Sequence, residues 1–196
     1  MPGRRRPRFR DSLRRPRPDR AQLTRYFVGT EGTGERALAR WIEFLCKEAG
    51  HKIWFDVPGA GPGGGSTLDV VQRTLTNRNR SRRGPYSGTL VFLDEDRRTF
   101  DGPAAEVLAR REGMHLVWQT PNIEGLLLRL FLGQENRQPP ADQTSRELER
   151  YWPNYKKNEI AAADLRERFS LRALQRAAQF DNNLLMLLHK LGFDDA

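Results

Sequence analysis

The sequence predicts an α/β fold, a mostly parallel sheet flanked by helices with a helical C-terminal portion. Three observations carry this. Four short strand-like runs, 25–30, 52–57, 89–93 and 114–118, alternate with helical patterns. Strands that alternate with helices need crossover connections, and crossovers give parallel pairs with helices on the sheet faces. Beyond residue 120 the patterning is helical only.

Taken in order, 25–30 reads as a strand and 31–34 as a loop. Over 35–49 the apolar residues Leu38, Trp41, Ile42, Leu45 and Cys46 recur at helical spacing until Gly50 stops the helix. Cys46 lies on that stripe and reads as a small core residue rather than a nucleophile. After the strand at 52–57, a glycine-rich loop over 59–65 leads to Ser66, whose pairing with Asp69 resembles a capping box opening a helix to about Thr76. The strand at 89–93 runs into Asp94, Glu95 and Asp96, 102–111 looks helical, and 114–118 is the fourth strand. Pro121 is expected to open an apolar helix ending near Gly133. A polar loop covers 134–143, and Thr144 with Glu147 offers a second capping box. Helices are then expected over 145–151, 158–168, 171–178 and 182–191. The organisation is a basic arm over 1–24, an α/β core over 25–120, and a helical portion over 121–196 packed on the core as part of one domain.

With 196 residues and 37% hydrophobic content, one sizeable core is attainable. The net charge of +9 is unevenly spread. Arg4, Arg5, Arg6, Arg8, Arg10, Arg14, Arg15, Arg17, Arg20 and Arg25 face only Asp11 and Asp19 within the first 25 residues, so this stretch supplies +8 and the body is nearly neutral. An arm so rich in Arg and Pro is expected to be disordered in isolation and attracted to nucleic acid; a solubility tail and membrane-surface contact are the alternatives. No apolar run follows the arginines as in a secretory signal, and no stretch approaches the roughly 18 apolar residues of a membrane span. A single cysteine excludes an intramolecular disulfide framework and suits a cytoplasmic location.

The run LVFLDED at 90–96 is the leading site candidate. If the chain stays extended, Asp94 and Asp96 project to one side and Glu95 to the other, so the aspartates can share a cation while Glu95 is expendable. Mg²⁺, with Mn²⁺ as a substitute, takes oxygen ligands and commonly needs only one or two carboxylates plus water and substrate phosphate. Solvated loop acids and helix caps are the competing readings. Glu31 in the turn TEGTGE can serve as general acid or base or merely solvate the turn, and Glu35 can stabilise the following helix. Glu124 is anomalous in an otherwise apolar helix and must be solvated, paired, metal-associated or stabilising the helix dipole.

Arg73, Arg78, Arg80, Arg82 and Arg83 fall within an acid-free stretch that can follow a nucleic-acid backbone or form a solvated face; Lys156 and Lys157 form a second basic pair. The glycine loop mimics a P-loop, but Gly65 stands where its lysine would be, so ATP binding there is rejected. His51, His115 and His189 form no metal motif.

The ordered set of an arginine-rich leader, a strand ending at Glu31 and Gly32, Glu35, Asp94 with Asp96, Pro121-Asn122-Ile123-Glu124 with its leucine-rich helix, and Tyr155-Lys156-Lys157 resembles the RloB-like proteins of the TOPRIM-domain nucleases. The resemblance spans nearly the whole chain, though each motif is short. It implies a TOPRIM-like fold and a Mg²⁺-dependent nuclease acting on DNA or RNA in anti-phage defence. Glu31 matches the acid/base glutamate, Asp94 and Asp96 the Mg²⁺ pair, and Glu124 an acidic position that joins the metal ligands. The same resemblance implies an ABC-type ATPase partner. Gly34 departs from the threonine common in the family. A noncatalytic nucleic-acid-binding subunit of a defence complex is the alternative, and self-association into a homo-oligomer is left open.

Overall fold

The computed structural model describes residues 23–59, 65–157 and 159–193. The arm up to residue 22, the middle of the glycine-rich loop and the expected helix start at Asn158 lie outside them. The chain runs β1 (Thr24–Thr30), α1 (Thr33–Glu48), β2 (Ile53–Asp56), α2 (Thr67–Arg80) and β3 (Gly88–Asp94). A 3₁₀ turn (Glu95–Arg97), α3 (Arg98–Arg111) and β4 (Met114–Gln119) complete the α/β half. Then come α4 (Ile123–Arg129), α5 (Thr144–Tyr151), α6 (Ala162–Arg168), α7 (Leu171–Ala178) and α8 (Asn182–Lys190). Among the described residues the strands form one all-parallel sheet of order β2-β1-β3-β4, consistent with a TOPRIM-like layout.

The sheet is buried on both faces, which is why β3 reads as a continuous apolar run rather than an alternating one. Leu90 and Phe92 enter the larger core, shared with α1 and the C-terminal helices. Val91 and Leu93 enter a smaller one with Val70 and Val71 of α2 and Ala105 and Ala109 of α3. Cys46 is buried in the larger core, and burial pushes its thiol up to about 12. Gly29 of β1 allows α2 to close on the sheet, because a Cβ there would stand 1.9 Å from Thr74 Oγ1.

Ser66 caps α2 as its sequence indicates, with its Oγ accepting from Asp69 N and Asp69 Oδ2 accepting from Ser66 N. Four differences from the sequence reading have local causes. Helix α2 continues past Thr76 to Arg80, and Arg78 near its end donates to Thr89 Oγ1 and the Glu112 carbonyl. Pro121 stays outside α4: Asn122 is the cap, its Oδ1 accepting from Gly125 N at 3.1 Å. Helix α4 ends at Arg129, where Leu130 and Phe131 continue in tighter turns bonded to the carbonyls of Leu127 and Leu128. Thr144 lies inside α5, its hydroxyl donating to the Ala141 carbonyl, and Glu147 pairs with Arg137 and Arg150, so the second capping box does not form.

Candidate active site at the carboxyl end of the sheet

From β1 the chain crosses to β2 on one side, and from β2 it returns across β1 to β3 on the other. The carboxyl ends of β1 and β3 therefore diverge into helices on opposite faces, the place where open α/β sheets gather ligands. Glu31 follows β1 there and Asp94 closes β3. Glu35 comes from the first turn of α1, and Glu124 from the first turn of α4 just beyond β4.

Each acid has its own restraint. Glu31 Oε1 pairs with Arg97 Nη1 at 2.6 Å, while its Oε2 is buried with no partner among the described residues. Glu35 folds back so that its Oε2 accepts from Gly32 N at 2.7 Å, which is the helix-start role open to it from the sequence. Asp94 Oδ1 accepts from Ile123 N at 3.0 Å, tying the end of β3 to α4. Glu124 is fully buried; its Oε1 accepts from Tyr155 Oη at 3.1 Å and pairs with Lys157 Nζ at 3.3 Å, and its Oε2 has no partner among the described residues.

The extended geometry expected for Asp94-Glu95-Asp96 does not hold. The strand ends at Asp94 and the chain enters the 3₁₀ turn, so Asp96 is exposed at the lip, its backbone N–H donating to the Pro121 carbonyl. Glu95 accepts from Thr120 Oγ1 at 2.6 Å and pairs with Arg98 at 3.3 Å, linking the ends of β3 and β4 rather than standing as a solvated acid.

Electrostatically the acids form one group. Burial is the first cause that pushes the Asp94 carboxyl up to about 8, followed by the charges of Glu35, Glu31, Asp96 and Glu124. Burial also raises Glu31, opposed by Arg97, by the backbone at Asp94 and by Arg73, with Asp96 adding to the rise. Glu35 is raised chiefly by burial, with Glu31 and Glu124 adding to it. Burial, then the neighbouring Glu124 carboxylate, raises the Tyr155 hydroxyl, which stays a donor.

Hard oxygen donors with two orphaned buried carboxylate oxygens fit Mg²⁺ or Mn²⁺ in chemistry. Among the described residues, however, no group of three or more His, Cys, Asp or Glu side chains is arranged to hold an ion. One oxygen of each acid is engaged, Glu31 Oε1 by Arg97, Glu35 Oε2 by Gly32 N, Asp94 Oδ1 by Ile123 N and Glu124 Oε1 by Tyr155 and Lys157. The chemistry is that of one or two ligating carboxylates completed by water and phosphate, not of a closed protein cage.

The basic candidates divide. Arg73 and Lys157 belong to the acid group. Arg78 is a packing residue, corrected from its reading as a backbone contact because its guanidinium is spent on Thr89 and Glu112. Arg80 is exposed at the end of α2, and Arg82 and Arg83 stand at the amino end of the sheet. Lys156 turns to Glu159 at 3.1 Å. Arg4, Arg5, Arg6, Arg8, Arg10, Arg14, Arg15 and Arg17 lie outside the described residues. Sequence reasoning missed Arg97, whose signal was its place three residues after Asp94, and the hydroxyl role of Tyr155 beside the lysine pair. Gly34 packs on Ile123, which a Cβ would meet at 3.7 Å, so the departure from threonine is sterically mild.

Fold and site together define a doubly wound α/β protein with a carboxylate cluster at its switch point. No protein-family model, curated protein or solved structure matches the chain. Among the described residues no helix is long and apolar enough to cross a membrane.

Proposed function

We propose that this chain is a Mg²⁺-dependent phosphodiesterase of the TOPRIM class that cleaves DNA or RNA, with Mn²⁺ able to substitute. The observation that carries this reading is the clustering of the partly buried Glu31 and Asp94 with the buried Glu35 and Glu124 at the switch point, where Asp94 is pushed up to about 8. Crowding carboxylates in a low-dielectric site is costly unless protons or a cation offset them, and such perturbation marks functional sites.

Asp94 would hold the ion, with Glu124 behind it, and Asp96 at the lip would add its charge through water. A bound divalent cation would supply charge neutralisation at the scissile phosphate. The carboxyl of Glu31, raised by burial, suits it to hold or release a proton as general acid or base. Arg97 and Arg73 would take phosphate oxygens. Lys157 and Tyr155 hold the orientation of Glu124. An anti-phage role beside an ABC-type ATPase rests on the resemblance to RloB-like proteins, and a cytoplasmic setting on the single cysteine.

The unclosed ligand set favours a second reading, a noncatalytic nucleic-acid-binding subunit. The discriminating experiment incubates plasmid, linear DNA, tRNA and mixed RNA with Mg²⁺, Mn²⁺ or chelator, alone and together with any ABC-type ATPase that a neighbouring reading frame encodes. Metal-dependent cleavage lost in Asp94→Asn/Asp96→Asn supports the phosphodiesterase. Metal-indifferent binding without cleavage in every arm favours the binding subunit.

A further inference from the structure

A second feature lies at the other end of the sheet. Arg25 of β1 and Trp54 of β2 are register partners, so their side chains emerge side by side on one face. Trp54 is 45% exposed although it sits in a strand whose other residues are buried. It borders a cavity of about 530 Å³ shared with Arg25, Arg82, Arg83 and Tyr86. The one acid there among the described residues, Asp56, is already engaged by Arg83 at 3.1 Å and by the Tyr86 hydroxyl at 2.5 Å. Arg25 donates to the Arg83 carbonyl at 2.7 Å and Arg82 is exposed; neither has a carboxylate partner among the described residues. Among the described residues the cavity thus presents an indole, over whose ring Lys47 Nζ lies at 4.7 Å, beside two guanidinium groups without a carboxylate partner.

We propose that this cavity is a nucleic-acid anchor in which an unpaired base stacks on Trp54 while Arg25 and Arg82 take the flanking phosphates. An aromatic face plus unpaired arginines is the combination that binds single strands without reading sequence. Charge alone would be served by lysines and needs no exposed tryptophan. Arg83 and Tyr86 hold the rim by neutralising Asp56, which would otherwise repel phosphate. The segment with most of the chain's excess arginine joins the fold at Leu23, directly before β1, so it is tethered at this end. Glu31 stands about six residue steps along the chain from Arg25, about 20 Å at the rise of a parallel strand. A strand held here would reach the carboxylates several nucleotides away. The inference rests on the proposed function only in taking nucleic acid as the partner.

The test measures binding of a labelled single-stranded oligonucleotide of about 12 nucleotides, as DNA and as RNA, to the full chain in chelator. Without metal, lack of cleavage bears on the phosphodiesterase reading and not on this one. Trp54→Ala is expected to weaken binding about 10-fold and Trp54→Phe much less; Arg82→Ala is expected to reduce the salt slope by about one. Oligonucleotide should quench the native tryptophan fluorescence, and that quenching should vanish in Trp54→Phe, which decides the matter if the alanine variant folds poorly. Unchanged affinity in Trp54→Ala, quenching that persists in Trp54→Phe, or equal quenching by base-free polyphosphate would overturn the anchor.

Discussion

Arg97 Nη1 stands 2.6 Å from Glu31 Oε1, an ion pair that bridges the exits of β1 and β3 across the switch point. The pair holds down a carboxyl that burial raises. An incoming phosphate would compete for the same guanidinium and so leave Glu31 better able to carry a proton.

Arg97→Ala should therefore raise the Glu31 pKa further and move the acidic limb of the pH–rate profile upward. It should also lower kcat/KM for oligonucleotide cleavage by about 100-fold, since a charge aimed at phosphate is lost. Arg97→Lys should recover part of the rate. Because Arg97 is half exposed, the midpoint of thermal unfolding should change little. An unshifted profile in Arg97→Ala would remove Arg97 from the site.

The Asp94 carboxyl sets a pH dependence of stability whose sign follows from its raised pKa. The folded state binds this proton more tightly than the unfolded chain does, so the associated stability is present below the ordinary carboxylate range, near pH 4, and is lost as pH rises through about 8. In chelator, urea unfolding should show stability falling between those limits. Asp94→Asn should flatten that fall and be more stable than the native chain at pH 8 by about 2 kcal/mol. Millimolar Mg²⁺ should restore the native chain and leave Asp94→Asn unaffected. A native chain whose stability rises over the same range would show that Asp94 is ionised throughout.

The strand and helix alternation was legible because each buried strand carries an apolar run and each helix an apolar stripe. The convergence of Glu31 and Asp94 was legible in outline from strand ends alone. Asp96 was not placed correctly, since period-two alternation holds only while the chain stays extended, and the 3₁₀ turn begins at Glu95. Arg78 misled for a different reason: an acid-free arginine run shows no partner in sequence, yet Glu112 and Thr89 come from distant segments. Tyr155 and Glu124 lie 31 residues apart, and only packing of the segment after α5 against α4 reveals their hydrogen bond.

Tyr155→Phe keeps the ring but removes the hydroxyl donated to Glu124, leaving Lys157 as its recorded partner. The fully buried carboxylate should then cost about 1–3 kcal/mol in urea unfolding at pH 8. Glu124→Gln on top of Tyr155→Phe should return part of that loss, because a neutral amide tolerates burial better than a carboxylate. If the double variant is as unstable as the sum of the single ones, the hydroxyl and the carboxylate are not coupled.

Arg129 is fully buried on α4, and its Nη2 donates to Asp181 Oδ2 at 2.5 Å. Burial lowers the guanidinium, while Asp181 and then Glu95 favour its charged form. Asp181 also caps α8, its Oδ1 accepting from Leu184 N at 3.1 Å, so the pair ties the helix carrying Glu124 to the last helix of the fold. Removing one partner strands the other charge in the core: Arg129→Met should cost about 3–5 kcal/mol. Asp181→Asn keeps a capping oxygen for Leu184 but leaves Arg129 without its carboxylate, and should cost a similar amount. Arg129→Met/Asp181→Asn removes both charges and retains the cap, so its loss should be smaller than the sum by at least about 1.5 kcal/mol. A double-mutant cycle in urea reads this coupling directly. Additive losses would mean that the two charges are stabilised separately and that α4 is held to α8 by apolar packing alone.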